Sequence, residues 1–120
     1  MSQRKRNETK RATLDKIDSM RYHVKENTIK LNRHNTFQHE LAKFLLAWEA
    51  LQQENDFIAE AIFKNGKRAD LVILQQGEAW EVLHSESKKS IEAKKEDYPC
   101  KVIPFKAKDV IEAWIPLMQG

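Results

Sequence analysis

Three acidic residues stand inside short apolar runs of this 120-residue chain: Glu60 in Phe57–Phe63, Asp70 in Ala69–Leu74 and Glu81 in Ala79–Leu83. A carboxylate in an apolar, strand-favouring run is costly to bury unless a cation or hydrogen bonds compensate its charge. Three of them on successive runs point to a metal site. Hard oxygen donors suit Mg²⁺ or Mn²⁺, ions that polarise a phosphate and activate water, so the chemistry this pattern suits is hydrolysis of a phosphodiester. The alternative is a sheet covered on one side only, with Glu60 and Glu81 on its solvent face. That accounts for any single strand, but less well for an acid on all three.

The elements that must position these groups follow from spacing. Asn65-Gly66, a dipeptide that turns readily with both central residues at positive φ, and Gln75-Gln76-Gly77 separate the runs into a three-stranded antiparallel meander. Alternation places Asp70, Val72 and Leu74 on one face and Ala69, Leu71 and Ile73 on the other. Antiparallel pairing then brings Asp70 near Glu81, and Glu60 joins them across the first hairpin. Upstream, Thr36 is an N-cap for a helix over 37–53, whose Phe37, Leu41, Phe44, Leu45, Trp48 and Leu51 recur at three- and four-residue steps and form its apolar face. Downstream, Ser87 or Ser90 caps a charged helix that Tyr98-Pro99 ends. Lys101–Lys106 is a fourth strand, kept to an edge by Pro104. A last helix over Lys108–Met118 turns Val110, Ile111, Trp114 and Leu117 inward and is shortened by Pro116. Trp48, Trp80 and Trp114 serve packing in this scheme.

Composition sets the outer bounds. With 41% apolar and 32% charged residues the chain has the makings of one soluble domain, and no apolar run approaches the length of a membrane span. A lone cysteine, Cys100, excludes an internal disulfide and a multi-cysteine zinc site, and a reducing, cytoplasmic setting is the simplest expectation. Residues 1–34 hold ten Lys/Arg against four Asp/Glu, whereas residues 35–120 hold eleven against fourteen. A division follows into a basic N-terminal extension, 1–34, and a domain, 35–120. In the extension, Met1 to Arg6 is expected to be disordered, Glu8 to Tyr22 helical through Ala12, Leu14, Ile17 and Met20, and Val24 to Asn35 irregular. Its Arg4, Lys5, Arg6, Lys10, Arg11 and Arg33 are candidates to neutralise the backbone of DNA. His39-Glu40-Leu41-Ala42-Lys43 opens like a zinc-protease helix but lacks the second histidine.

Over residues 36–106, the order helix, three strands, helix, strand, with an aspartate early on the second strand and a glutamate on the third, resembles the PD-(D/E)XK nuclease superfamily, which includes Holliday junction resolvases and restriction endonucleases. The resemblance implies an α/β, restriction endonuclease-like αβββαβ core with a mixed four-stranded sheet flanked by helices. It also implies a Mg²⁺- or Mn²⁺-dependent deoxyribonuclease, commonly a homodimer, acting on duplex or branched DNA. Carried over, Asp70 and Glu81 match the metal-binding carboxylates, the Val82 carbonyl a third oxygen, and either Glu60 or the helical Glu40 the additional glutamate. The motif lysine would fall at position 83, where this chain has Leu83. Two consequences stay open. Lys43, at i, i+3 from Glu40, supplies the positive group, unless it is an ordinary surface lysine paired with that glutamate. Otherwise the domain is a catalytically inactive nuclease fold that binds nucleic acid or a protein partner.

Overall fold

A computed structural model describes residues 2–84 and 88–119. Its elements are α1 (Gln3–Leu14), α2 (Phe37–Gln52), β1 (Phe57–Ile62), β2 (Arg68–Ile73), β3 (Glu78–Leu83), α3 (Lys88–Asp97), β4 (Lys101–Lys106) and α4 (Ala107–Gln119). The strands form one mixed sheet in the order β1-β2-β3-β4, antiparallel across the first two pairs and parallel between β3 and β4. Pro104 sits on the edge strand, where its missing N–H costs no ladder bond to a further neighbour. This is an α/β architecture with helices on both faces. Among the described residues no helix is long and apolar enough to cross a membrane.

Two apolar layers sandwich the sheet. One packs Leu45, Leu46 and Ala50 of α2 and Val110 of α4 onto Phe57, Leu71, Ile73, Trp80 and Val82. The other gathers Ile58, Val72, Leu74, Ala79 and Val102 beneath Ile17, Phe63 and Tyr98. The alternation along β1 and β2 breaks at the acids: Ala61 joins Ile58 in the second layer, and Ala69 joins Val72 there. Glu60 is the cause on β1, for its φ of 51° is left-handed, a conformation that costs a non-glycine residue on the order of 1 kcal/mol. The pairs Ala59↔Leu71 and Ala61↔Ala69 bracket it, which sets Glu60 opposite Asp70.

Several expectations need correction. The first hairpin does not place both turn residues at positive φ; only Gly66 is left-handed, at 87°, and its N–H bonds the Phe63 carbonyl at 2.8 Å. A three-residue loop with a left-handed glycine at its end also joins right-twisted strands, so Asn65 is free to cap the turn through its side chain. The N-terminus is helical from Gln3, because the Ser2 hydroxyl accepts from the Lys5 N–H and Arg4–Glu8 and Gln3–Asn7 pair at i, i+4. That helix stops at Leu14, and Met20 is exposed. Pro116 lies within α4 without ending it. Ser90 lies inside α3, and Ser87, the other proposed cap, falls outside the described residues.

The buried face of α2 also differs from the one its large residues suggested. Ala42, Lys43, Leu45, Leu46, Ala47 and Ala50 are buried, while Phe37, Phe44, Trp48 and Leu51 are exposed. Alanines let a helix axis approach a sheet closely, so the stripe that packs is the one with the smaller side chains.

The basic extension is docked onto the domain. Arg6 donates to the Glu54 carbonyl and to Asn55 Oδ1, and Lys10 pairs with Asp56 at 2.9 Å and Glu26 at 3.2 Å. Asp56 also accepts from Asn27 and Gln75. The Asn27 hydrogen bond first, then Lys10 and Gln75, hold its carboxyl down at about 2, despite partial burial. Gly77 takes the left-handed φ of 63° that the β2–β3 turn requires, beneath Thr9 and Thr13 of α1.

Candidate active site

Asp70 and Glu81 face each other where the ladder between β2 and β3 stops. The regular register runs Ile73↔Glu78, Val72↔Ala79 and Leu71↔Trp80, and the next pair would be Asp70 and Glu81. Their side chains replace the backbone bonds there. The Asp70 N–H donates to Glu81 Oε2 at 3.0 Å, and the Val82 N–H donates to Asp70 Oδ2 at 2.8 Å. The strands therefore part, and two carboxylates fill the opening.

Their environment separates them chemically. Glu81 is 2% exposed, so it does not lie on a solvent face. Burial first, and the Asp70 charge second, push its carboxyl up to about 8. Burial also opposes the Asp70 charge, but His39, Glu81 and the Val82 N–H outweigh it and hold that carboxyl below its ordinary value. Of the two, Glu81 is the carboxyl that keeps its proton to the higher pH. Tyr98 completes the setting, for its hydroxyl contacts both Glu81 Oε1 and the Arg68 carbonyl.

The third acid and the cation come from β1 and α2. Lys43 is completely buried, which rules out the ordinary surface lysine. Its Nζ lies 2.6 Å from Glu40 Oε2 and 3.8 Å from Glu60 Oε1, and it donates to the Lys30 carbonyl at 2.7 Å. The Glu40 contact is an ion pair by distance without the alignment of a directed hydrogen bond. Burial raises the Glu40 carboxyl, but Lys43 and Asn35 more than offset this and leave it below its usual value. Asn32 donates to Glu60 Oε1 at 3.2 Å, which helps hold the left-handed residue in place.

His39 is the residue whose role the sequence pattern did not convey. One turn before Lys43 on the same helix face, its Nε2 sits 3.4 Å from Asp70 Oδ2 and its Nδ1 3.6 Å from Glu40 Oε1. The Asp70 contact raises its pKa, against the opposing effect of burial. The i, i+4 spacing of His39 and Lys43 was the available signal, but the sequence shows His39 only as the start of a failed zinc motif, while Glu40 and Lys43 stand there as site candidates. Tyr98 was equally easy to pass over, being legible only as the residue before a helix-stopping proline.

Glu60, Asp70, Glu81, Val82, His39 and Tyr98 line one cavity of about 260 Å³. Glu40 and Lys43 stand behind it. The donor set fits a hard divalent cation: a buried and a half-buried carboxylate at a strand opening, the buried one raised well above its ordinary value by burial and by the charge of the other. Among the described residues, however, no three His, Cys, Asp or Glu side chains are already gathered as a ligand group. Of the basic candidates, Arg6 and Lys10 are engaged inside the fold and Arg4 pairs with Glu8, while Lys5, Arg11 and Arg33 are exposed. Compared with known proteins, the chain matches no family model, no curated protein and no solved structure.

Proposed function

We propose that this chain is a metal-dependent, nuclease-like DNA-binding protein of the PD-(D/E)XK type, with a restriction endonuclease-like core, which hydrolyses phosphodiesters in duplex or branched DNA. The observation that carries the proposal is the Asp70–Glu81 pair, with Glu81 buried, at the opening between β2 and β3. Asp70, Glu81 and the Val82 carbonyl would hold Mg²⁺ or Mn²⁺, with Glu60 adjoining. When bound, such a cation neutralises charge on a phosphodiester and makes water a stronger acid. The chain's own residues prepare for this. Glu81 gives up its proton on binding, Tyr98 orients its carboxylate, and His39 does the same for Asp70. Lys43 holds Glu40 and Glu60 in place from below and brings a fixed positive charge beside the site. A homodimer and a cytoplasmic setting belong to the same proposal, and light scattering checks the first.

A second reading is favoured by Leu83. It is 6% exposed and occupies the place of the motif lysine, so an apolar side chain closes the position from which that cation would act. On this reading the domain binds nucleic acid or a protein partner without cleaving. The experiment is incubation of labelled linear, single-stranded and four-way-junction DNA with Mg²⁺ or Mn²⁺, beside Asp70→Asn and Glu81→Gln. Cleavage by the wild type that both variants lose supports the nuclease. Salt-dependent binding with every substrate intact supports the binding-only domain.

A further inference from the structure

Next to the carboxylate cavity lies a groove of about 610 Å³, bounded by the loop between α1 and α2 and by the rim of β1 and β2. The two share Asn32, Glu60 and Arg68. Lys30, Arg33 and Arg68 line the groove together with His23 and His34, against Asp18 and Glu60. Arg33 and Arg68 are exposed and form no ion pair with any described residue. Tyr22, 40% exposed, presents an aromatic ring at the same wall. Among the described residues no cation of α1 lines the groove, Lys5 and Arg11 included, and Arg6 and Lys10 already bond to the domain.

We propose that this groove binds a single DNA strand and leads it to the carboxylate pair, an inference that rests on the proposed function and names the form of its substrate. Unpaired guanidinium groups beside a carboxylate cavity would hold the phosphates flanking the one at the centre. Tyr22 gives a base a face to stack on, which works for any sequence. The groove, within the roughly 300–1,000 Å³ of small-ligand sites, has room for about one or two nucleotides, and a base can reach the Tyr22 ring only when it is unpaired, which favours a single strand. DNA therefore reaches the centre unpaired, at a branch, a frayed end or a single-stranded stretch.

The test is fluorescence anisotropy with a labelled oligothymidylate of about eight nucleotides and a duplex of equal length, in EDTA, so that the result is independent of cation binding. Wild-type protein binds the single strand at least as tightly as the duplex. Arg33→Ala and Arg68→Ala each weaken binding about tenfold and lower the salt slope by about one, Tyr22→Ala weakens it about tenfold, and Lys5→Ala/Arg11→Ala has much less effect. Thermal melting of the same variants, together with photo-crosslinking of an iodouracil oligonucleotide to Tyr22, guards against loss through misfolding. Preference for the duplex, or loss of binding in the α1 variant alone, overturns the groove while leaving the proposed nuclease standing. Absence of any binding overturns the groove too and leaves the cation site to its own test.

Discussion

Replacing Glu81 by glutamine separates the proton on this group from its shape. The Glu81 carboxyl accepts from the Asp70 N–H and contacts the Tyr98 hydroxyl. A glutamine amide keeps both, its oxygen accepting from Asp70 N–H and its NH₂ donating to the Tyr98 oxygen while that hydroxyl donates to the Arg68 carbonyl. Since the folded-state value is raised from 4.5 to about 8, the protonated form stabilises the fold fully below pH 4.5. That contribution is lost as pH rises and is gone just above 8. At about 1.4 kcal/mol per pH unit the interval sets a ceiling of ~5 kcal/mol, and the sharing of one proton with Asp70 brings the expected loss to the order of 3 kcal/mol. Urea unfolding from pH 4 to 9 is the assay. Wild type and Glu81→Gln are equally stable near pH 4.5, and the variant is the more stable by about 3 kcal/mol at pH 9. Mn²⁺ added at pH 9 closes that gap for the wild type only. Parallel pH profiles for the two proteins would refute the protonated, buried carboxyl.

Other consequences concern the supports of the site. Lys43→Met leaves the half-buried Glu40 without its cation and costs about 3 kcal/mol in urea unfolding, and adding Glu40→Gln recovers a large part of it; a loss below about 1 kcal/mol would show that Lys43 is not the counter-charge. Asp56 is held below its unfolded value, so its contribution is present above pH 3.8 and lost as pH falls towards 2. With the solvent screening of this partly exposed cluster, Asp56→Asn costs about 1 kcal/mol at neutral pH and flattens the acid limb of the unfolding profile, which a pH titration of the melting temperature reads directly.

The strands were legible because their apolar runs are short and bounded by glycine turns, and antiparallel pairing across so short a turn leaves little freedom in where Asp70 meets Glu81. The face of α2 was not, because large apolar residues at 37, 44, 48 and 51 and small ones at 42, 47 and 50 offer two stripes of similar period. Periodicity alone does not choose between them; the sheet does, by admitting the alanines. The same choice turns Lys43 and His39 inward, so a misplaced helix face conceals the imidazole and leaves Lys43 legible only through its i, i+3 spacing from Glu40 and the family resemblance. Glu60 carries no local sign of its left-handed backbone, which depends on Asn32 from a segment 28 residues away. Helix α1 seemed a detached arm because charge was its strongest signal, whereas Lys10 and Arg6 find their partners 46 to 49 residues downstream.

The most direct test of the central claim is calorimetric titration of the metal-free protein with Mn²⁺ at pH 7, in two buffers that differ in ionisation enthalpy. One binding site is predicted, with about one proton released per ion and binding lost in both Asp70→Asn and Glu81→Gln. Binding that both variants retain, or that releases no proton, would contradict the assignment of Asp70 and Glu81 as the cation's ligands.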